Sequence, residues 1–157
     1  MVERGPAAAG GQVLIEVLLV LPVFLFLVFT IMEIGHLAFR TILLHHAAYE
    51  AARVGSLTAM SPMMGPACPT HVAPAGIVQT VAAKMLPTSF AVATVDQGRC
   101  LTDPQDGCPN CDLLVVVRQR VLMIFPMTGI VLSNTGDRRT RMLEAAVRMP
   151  IERPLFK

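Results

Sequence analysis

The residues in this chain with the most chemical potential are four cysteines, four histidines and one acid set among apolar side chains. Cys68, Cys100, Cys108 and Cys111 include a C-x2-H pair, Cys68 with His71, and a C-x2-C pair, Cys108 with Cys111. Pairs at that spacing can place two ligands each on a tetrahedral zinc ion, which makes Cys68, His71, Cys108 and Cys111 an alternative metal set and leaves Cys100 over. Cys108-Pro109-Asn110-Cys111 could also act as a redox pair, but that motif needs the start of a helix in a βαβ unit, and here it leads into a strand. In an exported domain, four cysteines point first to two disulfides, with three pairings open. His36, His45 and His46 lie on a helical stretch, and none stands beside a Ser or Cys in a recognisable nucleophile turn. No phosphate loop and no HExxH helix occur. Neither an enzyme nor a bound cofactor is expected.

The acid is Glu16. It lies in the run Val13 to Met32, VLIEVLLVLPVFLFLVFTIM, where only Glu16, Pro22 and Thr30 interrupt the apolar side chains. Twenty such residues match the length needed to cross the hydrocarbon layer of a bilayer. A cleaved secretory signal would be shorter, with a basic start and a small-x-small site after it, and these are missing. An acid at the centre of a membrane helix costs about 2.5–3.5 kcal/mol on insertion scales and usually marks function. The plain alternative is that Glu16, near the edge of the run, reaches headgroups. Pro22 removes one helical hydrogen bond, so a kink or melted turn is expected from about Leu18 to Pro22.

Composition agrees with one membrane helix and one small domain. The chain has 157 residues, 54% of them apolar and 15% charged, with a net charge of +2. Such values exclude a disordered or nucleic-acid-tail reading. Arg138, Arg139 and Arg141 form the one basic group, better suited to a solvated turn than to a phosphate backbone, so nucleic acid is not an expected partner.

The helix continues past the membrane. No Pro occurs from Glu33 to Gly55, and Ile34, Ala38, Thr41, Leu44, Ala48, Ala51 and Gly55 recur every three or four residues as an apolar, mostly small packing seam. His46, Tyr49, Glu50 and Arg53 fall on another face. A helix over 12–57 would be about 65–70 Å long. Ser61-Pro62-Met63-Met64-Gly65-Pro66 breaks it. Pro74 to Leu86 then predicts a second helix, and Phe90 to Asp96, Leu113 to Ile124 and Arg141 to Met149 predict three strands, with Phe125-Pro126 closing the second. Leu143, Ala145, Val147 and Met149 alternate with the other face of the last strand. The fold class expected is α+β, an antiparallel sheet with one short helix laid against a long amino-terminal helix. Gln97 to Asp112 is expected to be a polar loop pinned by disulfides.

The start of the rod resembles the class III signal of type IV prepilins, where a membrane peptidase cuts after a Gly and a Glu stands fifth in the mature chain. Here that pattern is Gly11, Gln12 and Glu16. The wider run resembles the amino-terminal motif of the TadE-like minor pseudopilins of tight-adherence pili, carried by Gly11, Gln12, Glu16, Pro22, Glu33, Gly35, Ala51, Ala52 and Arg53. It departs from the small tight-adherence pilins in having Val17 where they have an aromatic. The resemblance implies a pilin-like fold with a leader at 1–11, the rod at 12–57 embedded over 13–32, and a periplasmic head at 58–157. It further implies cleavage between Gly11 and Gln12, and a Glu16 that pairs with the freed amino terminus of a neighbour. The partners implied are other pilins and pseudopilins, the prepilin peptidase, an inner-membrane assembly platform and the lipid bilayer, with the protein in the bacterial inner membrane or a pilus. Two other functions remain open at this point: a single-pass membrane protein with a metal-binding or redox-active head, and a pseudopilin of a type IV-derived secretion system.

Overall fold

The computed structural model describes residues 9–60, 68, 70–102, 104, 107–125, 127–134, 136, 137 and 139–151. Residues 1–8 of the expected leader, the expected break at 61–66, Pro126 and Arg138 lie outside the described residues.

Helix α1, Ala9–Thr58, is one uninterrupted rod of 50 residues, which at 1.5 Å per residue is about 75 Å long. The helix runs through Pro22, so the melted turn expected at Leu18 to Pro22 does not occur. Proline there costs the single hydrogen bond to Leu18, and the flanking Leu, Val and Phe turns keep theirs. Helix α2, Ala75–Met85, follows, with Lys84 in its last turn beside the negative end of the dipole. Strands β1 (Ser89–Thr102), β2 (Pro109–Leu122) and β3 (Thr140–Pro150) form one antiparallel sheet in the order β1-β2-β3, with a single turn of helix, α3 (Gly129–Leu132), between the last two. The fold is α+β, with a long amino-terminal helix and a small antiparallel sheet, as expected.

Period-two burial makes the sheet one-sided. Along β2, Cys111, Leu113, Val115, Val117, Gln119 and Val121 face inward and are buried, while their neighbours are more open. Ala145 is the buried centre of β3, flanked on its face by the half-buried Leu143, Val147 and Met149. The polar stretch from Gln97 to Asp112, expected as a loop, instead continues the hairpin: β1 runs to Thr102 and β2 begins at Pro109, with a register irregularity between Asp96 and Leu101. A disulfide from Cys100 to Cys111 crosses that part of the hairpin. Its covalent link holds together a segment whose side chains give little burial.

The second half of α1 covers the sheet. Leu44, Ala47, Ala48, Ala51, Ala52 and Ala59 are buried and join Val78 and Ala82 of α2 and Leu113, Val115 and Val117 of β2 in one core. Small side chains on the rod permit the close approach. Gly55 marks its limit, because a Cβ there would lie 2.8 Å from Leu113 Cδ2 and 2.9 Å from Val78 Cγ2. Toward the membrane-length end the buried line departs from the expected seam: Ile34 is 51% exposed and Ala38 is also exposed, whereas Glu33 and Leu37 are buried. The head therefore sits one residue round the helix from the phase that apolarity alone suggests. Glu33 occupies the buried line because it is hydrogen-bonded there. Gln79 clips α2 to β1, its Oε1 accepting from the Ala91 N–H at 2.6 Å and its Nε2 donating to the Ser89 carbonyl at 3.3 Å.

Replacing Gly55 by Val should lower head stability by about 1–3 kcal/mol through overpacking. Gly35→Ala, where no atom lies within 4 Å of a new Cβ, should instead gain up to about 1 kcal/mol of helix propensity. Thermal unfolding of the detergent-solubilised protein checks both, and equal effects at the two glycines would contradict the packing described.

Candidate functional site

Two carboxylates on α1 have opposite surroundings. Residues 11–27 are all exposed, so none of the described residues covers the first half of the rod. Glu16 stands there without a hydrogen-bond or ion-pair partner among the described residues, beside a shallow groove lined by Val17, Val20, Leu21 and Phe24. Gly11 and Gln12 lie within the first turns of α1. The pair Gly10-Gly11 makes those turns easy to unwind, since each glycine costs about 0.8–1.0 kcal/mol of helix propensity relative to alanine. Helix α1 is long and apolar enough to cross a membrane, and its most apolar window is not buried within the protein.

Glu33 is the reverse case, fully buried one residue beyond that apolar run. The sheet positions its partners. Gly55 of α1 abuts Leu113, and Glu33 meets Ile124, so β2 and its extension run antiparallel to the rod. The two intervals agree in length, about 33 Å of helix against about 36 Å of strand. At the lower end the Ile124 N–H donates to Glu33 Oε2 at 3.1 Å and the Phe125 N–H donates to the same oxygen at 3.0 Å. The Thr128 hydroxyl donates to the Phe125 carbonyl at 2.7 Å, a shorter contact than its 3.5 Å approach to Glu33. One helical turn before Glu33, the ring of Phe29 stacks on Phe125 with centroids 4.6 Å apart and planes at 14°. Glu33 and Phe29 thus bolt the β2–α3 turn to the rod where the apolar run ends. Residue patterns alone did not assign that job to Glu33. The available signal was an acid at the end of a membrane-length run with an aromatic four residues earlier.

The cysteines are all disulfide-bonded, Cys68 to Cys108 and Cys100 to Cys111. This overturns the alternative zinc set, since Cys108 and Cys111 belong to different bridges and neither offers a thiolate. His71 lies against Pro109, with Nε2 2.9 Å from its carbonyl. Among the described residues no group of three or more His, Cys, Asp or Glu could hold a metal. The bridge from Cys68 closes a loop of 40 residues and ties that residue to Cys108, just before β2. In the chain-entropy account such a loop contributes about 3–4.7 kcal/mol. His45 and His46 are exposed on the rod and His36 is half-buried. Of the basic group, Arg139 is exposed, and Arg141 Nη1 donates to the Leu132 carbonyl at 3.0 Å.

This arrangement defines a class before any comparison: a single apolar rod, compatible with a single-pass membrane anchor, carrying a disulfide-bonded α+β head on its distal half. The family model described as TadE-like protein matches residues 11–53, from the glycine at the candidate cleavage point to the arginine that closes the Ala-Ala-Arg stretch. The match contains Glu16, Pro22, Glu33 and Gly35, and the cysteines lie outside it. The matched stretch is 43 of the 157 residues and lies wholly within α1. No curated protein and no solved structure matches the chain.

Glu33→Ala should leave the Ile124 and Phe125 N–H groups without their acceptor and lower head stability by about 2–5 kcal/mol, since hydrogen bonds to charged groups contribute about 1.5–3 kcal/mol each. Hydrogen exchange at those two amides should accelerate more than in the centre of β2. Unchanged exchange would show that Glu33 does not hold the turn.

Proposed function

We propose that the protein is a minor pseudopilin, a non-enzymatic subunit that helps to initiate, cap or anchor a tight-adherence type IV pilus. The observation that carries this reading is Glu16, an acid five residues after Gly11 that has no partner among the described residues, on the half of the helix that none of them covers. In this account the prepilin peptidase cuts between Gly11 and Gln12, and the new amino terminus of one subunit pairs with Glu16 of its neighbour. Opposite charges offset each other's desolvation when both leave water. The rod waits in the inner membrane and then packs with other pilin helices, whose association in an apolar medium depends on close contact and polar pairing rather than on the hydrophobic effect. Two disulfides suit a head on the oxidising side of that membrane. Pairing partners are thus other pilin and pseudopilin subunits, with the inner-membrane assembly platform handling the rod.

Mass spectrometry of the protein from cells should find Gln12 at the amino terminus when the peptidase is present and Met1 when it is deleted. Glu16→Ala should abolish surface pili while the protein still accumulates in the membrane. A chain intact from Met1 in peptidase-positive cells, or normal piliation of the variant, would count against the proposal.

A further inference from the structure

The turn bolted to the rod by Glu33 carries an apolar surface that the head does not use. Ile124, Met127, Ile130 and Val131 are each 60–69% exposed, although they lie within eight residues of one another on the β2–α3 connection. Scattered apolar residues on a surface are ordinary, but four large ones this exposed within eight residues of chain point to an interaction surface.

Its position says what covers it. If Val13 to Met32 spans the hydrocarbon layer, Phe29 lies about one turn, roughly 5 Å, inside the end of that span. Phe125 is stacked on Phe29, so this turn is continuous with the lipid-facing surface of the rod rather than lifted above it. Part of the backbone of the turn is also paired internally. Ile124 and Phe125 N–H groups donate to Glu33. Those of Ile130, Val131, Leu132 and Ser133 donate to carbonyls within the turn. A segment entering lipid must satisfy its backbone internally. Arg139, whose carbonyl accepts from the Met123 N–H, and Arg141, which pairs with Val121, lie on the strand side of the turn, where headgroups would meet them.

We propose that the β2–α3 turn is a membrane plug: Met127, Ile130 and Val131 enter the bilayer leaflet from which the rod emerges, so that the head docks on the membrane at two points. The inference rests on the reading of Val13 to Met32 as the membrane span, and the test separates the two.

The chain contains no Trp, so single tryptophans act as lone reporters in the full-length protein. Ile130→Trp, Val20→Trp and Leu101→Trp would be reconstituted in vesicles of phosphatidylethanolamine and phosphatidylglycerol, with phosphatidylcholine brominated near the headgroup end of its acyl chains. Leu101, 78% exposed at the far end of the hairpin, reports the solvated head. Ile130→Trp should show blue-shifted emission and several-fold stronger quenching than Leu101→Trp, while Val20→Trp is quenched best by lipid brominated deeper in the chain. A quenched Val20→Trp with an unquenched, red-emitting Ile130→Trp would overturn the plug and leave the span intact. Emission at Ile130→Trp that is blue-shifted but unquenched, or that depends on the protein-to-lipid ratio, would assign the surface to a second copy of the chain and also overturn it. Loss of quenching at both sites would remove the span and the plug together.

Discussion

One buried carboxylate sets the geometry between rod and head. Glu33 has given up its water and receives two backbone N–H groups from the turn that follows β2. Burying an acid without such donors is prohibitive, so the carboxylate and the turn require each other. Because Gly55 meets Leu113 at the other end, the sheet is held at two heights on the same helix. The alanines between them let strand and helix run side by side, and α2 closes the layer. Rotation of the head about the rod would break the Glu33 bonds at one end and jam Gly55 at the other.

The division of the rod into an uncovered half and a covered half is the other constraint. Glu16 and Glu33 lie on the same helix, yet one has no partner among the described residues and the other is fully enclosed. The family match spans both halves and ends just before the last turns of α1. It therefore includes the acid that binds the head as well as the acid proposed to bind a neighbour. The disulfides belong to the head alone: one joins Cys68 to Cys108, and the other crosses the outer hairpin from Cys100 to Cys111.

Much of this plan can be read from residue order. Period-two alternation in β2 and β3, the apolar run, and the Pro residues before and after α2 all correspond to local physics, and local physics is visible in a linear string. The features that escaped depend on distant residues. Glu33 finds its donors 91 and 92 positions away. Without them an acid looks out of place in a buried line, so the apolar count favoured Ile34 and Ala38, which are exposed. The extended hairpin around Cys100 and Cys111 escaped because its side chains are polar and the cross-strand bridge does not announce its pairing. Pro22 suggested a kink or a melted turn, and of the two the melted turn does not occur, because a single missing hydrogen bond leaves a long apolar helix continuous.

Among the described residues, the bare half of α1 is a long apolar surface compatible with a single-pass membrane anchor. If that surface, from Gly11 to Leu27, is membrane-embedded as proposed, its surrounding is apolar. Any machine that lifts the rod out of a bilayer must therefore hand it directly to another greasy host. Exchange of acyl chains for aliphatic side chains is close to neutral in hydrophobic terms. The direction of that transfer is then decided by small differences in fit and by whichever ionic contact the receiving site offers.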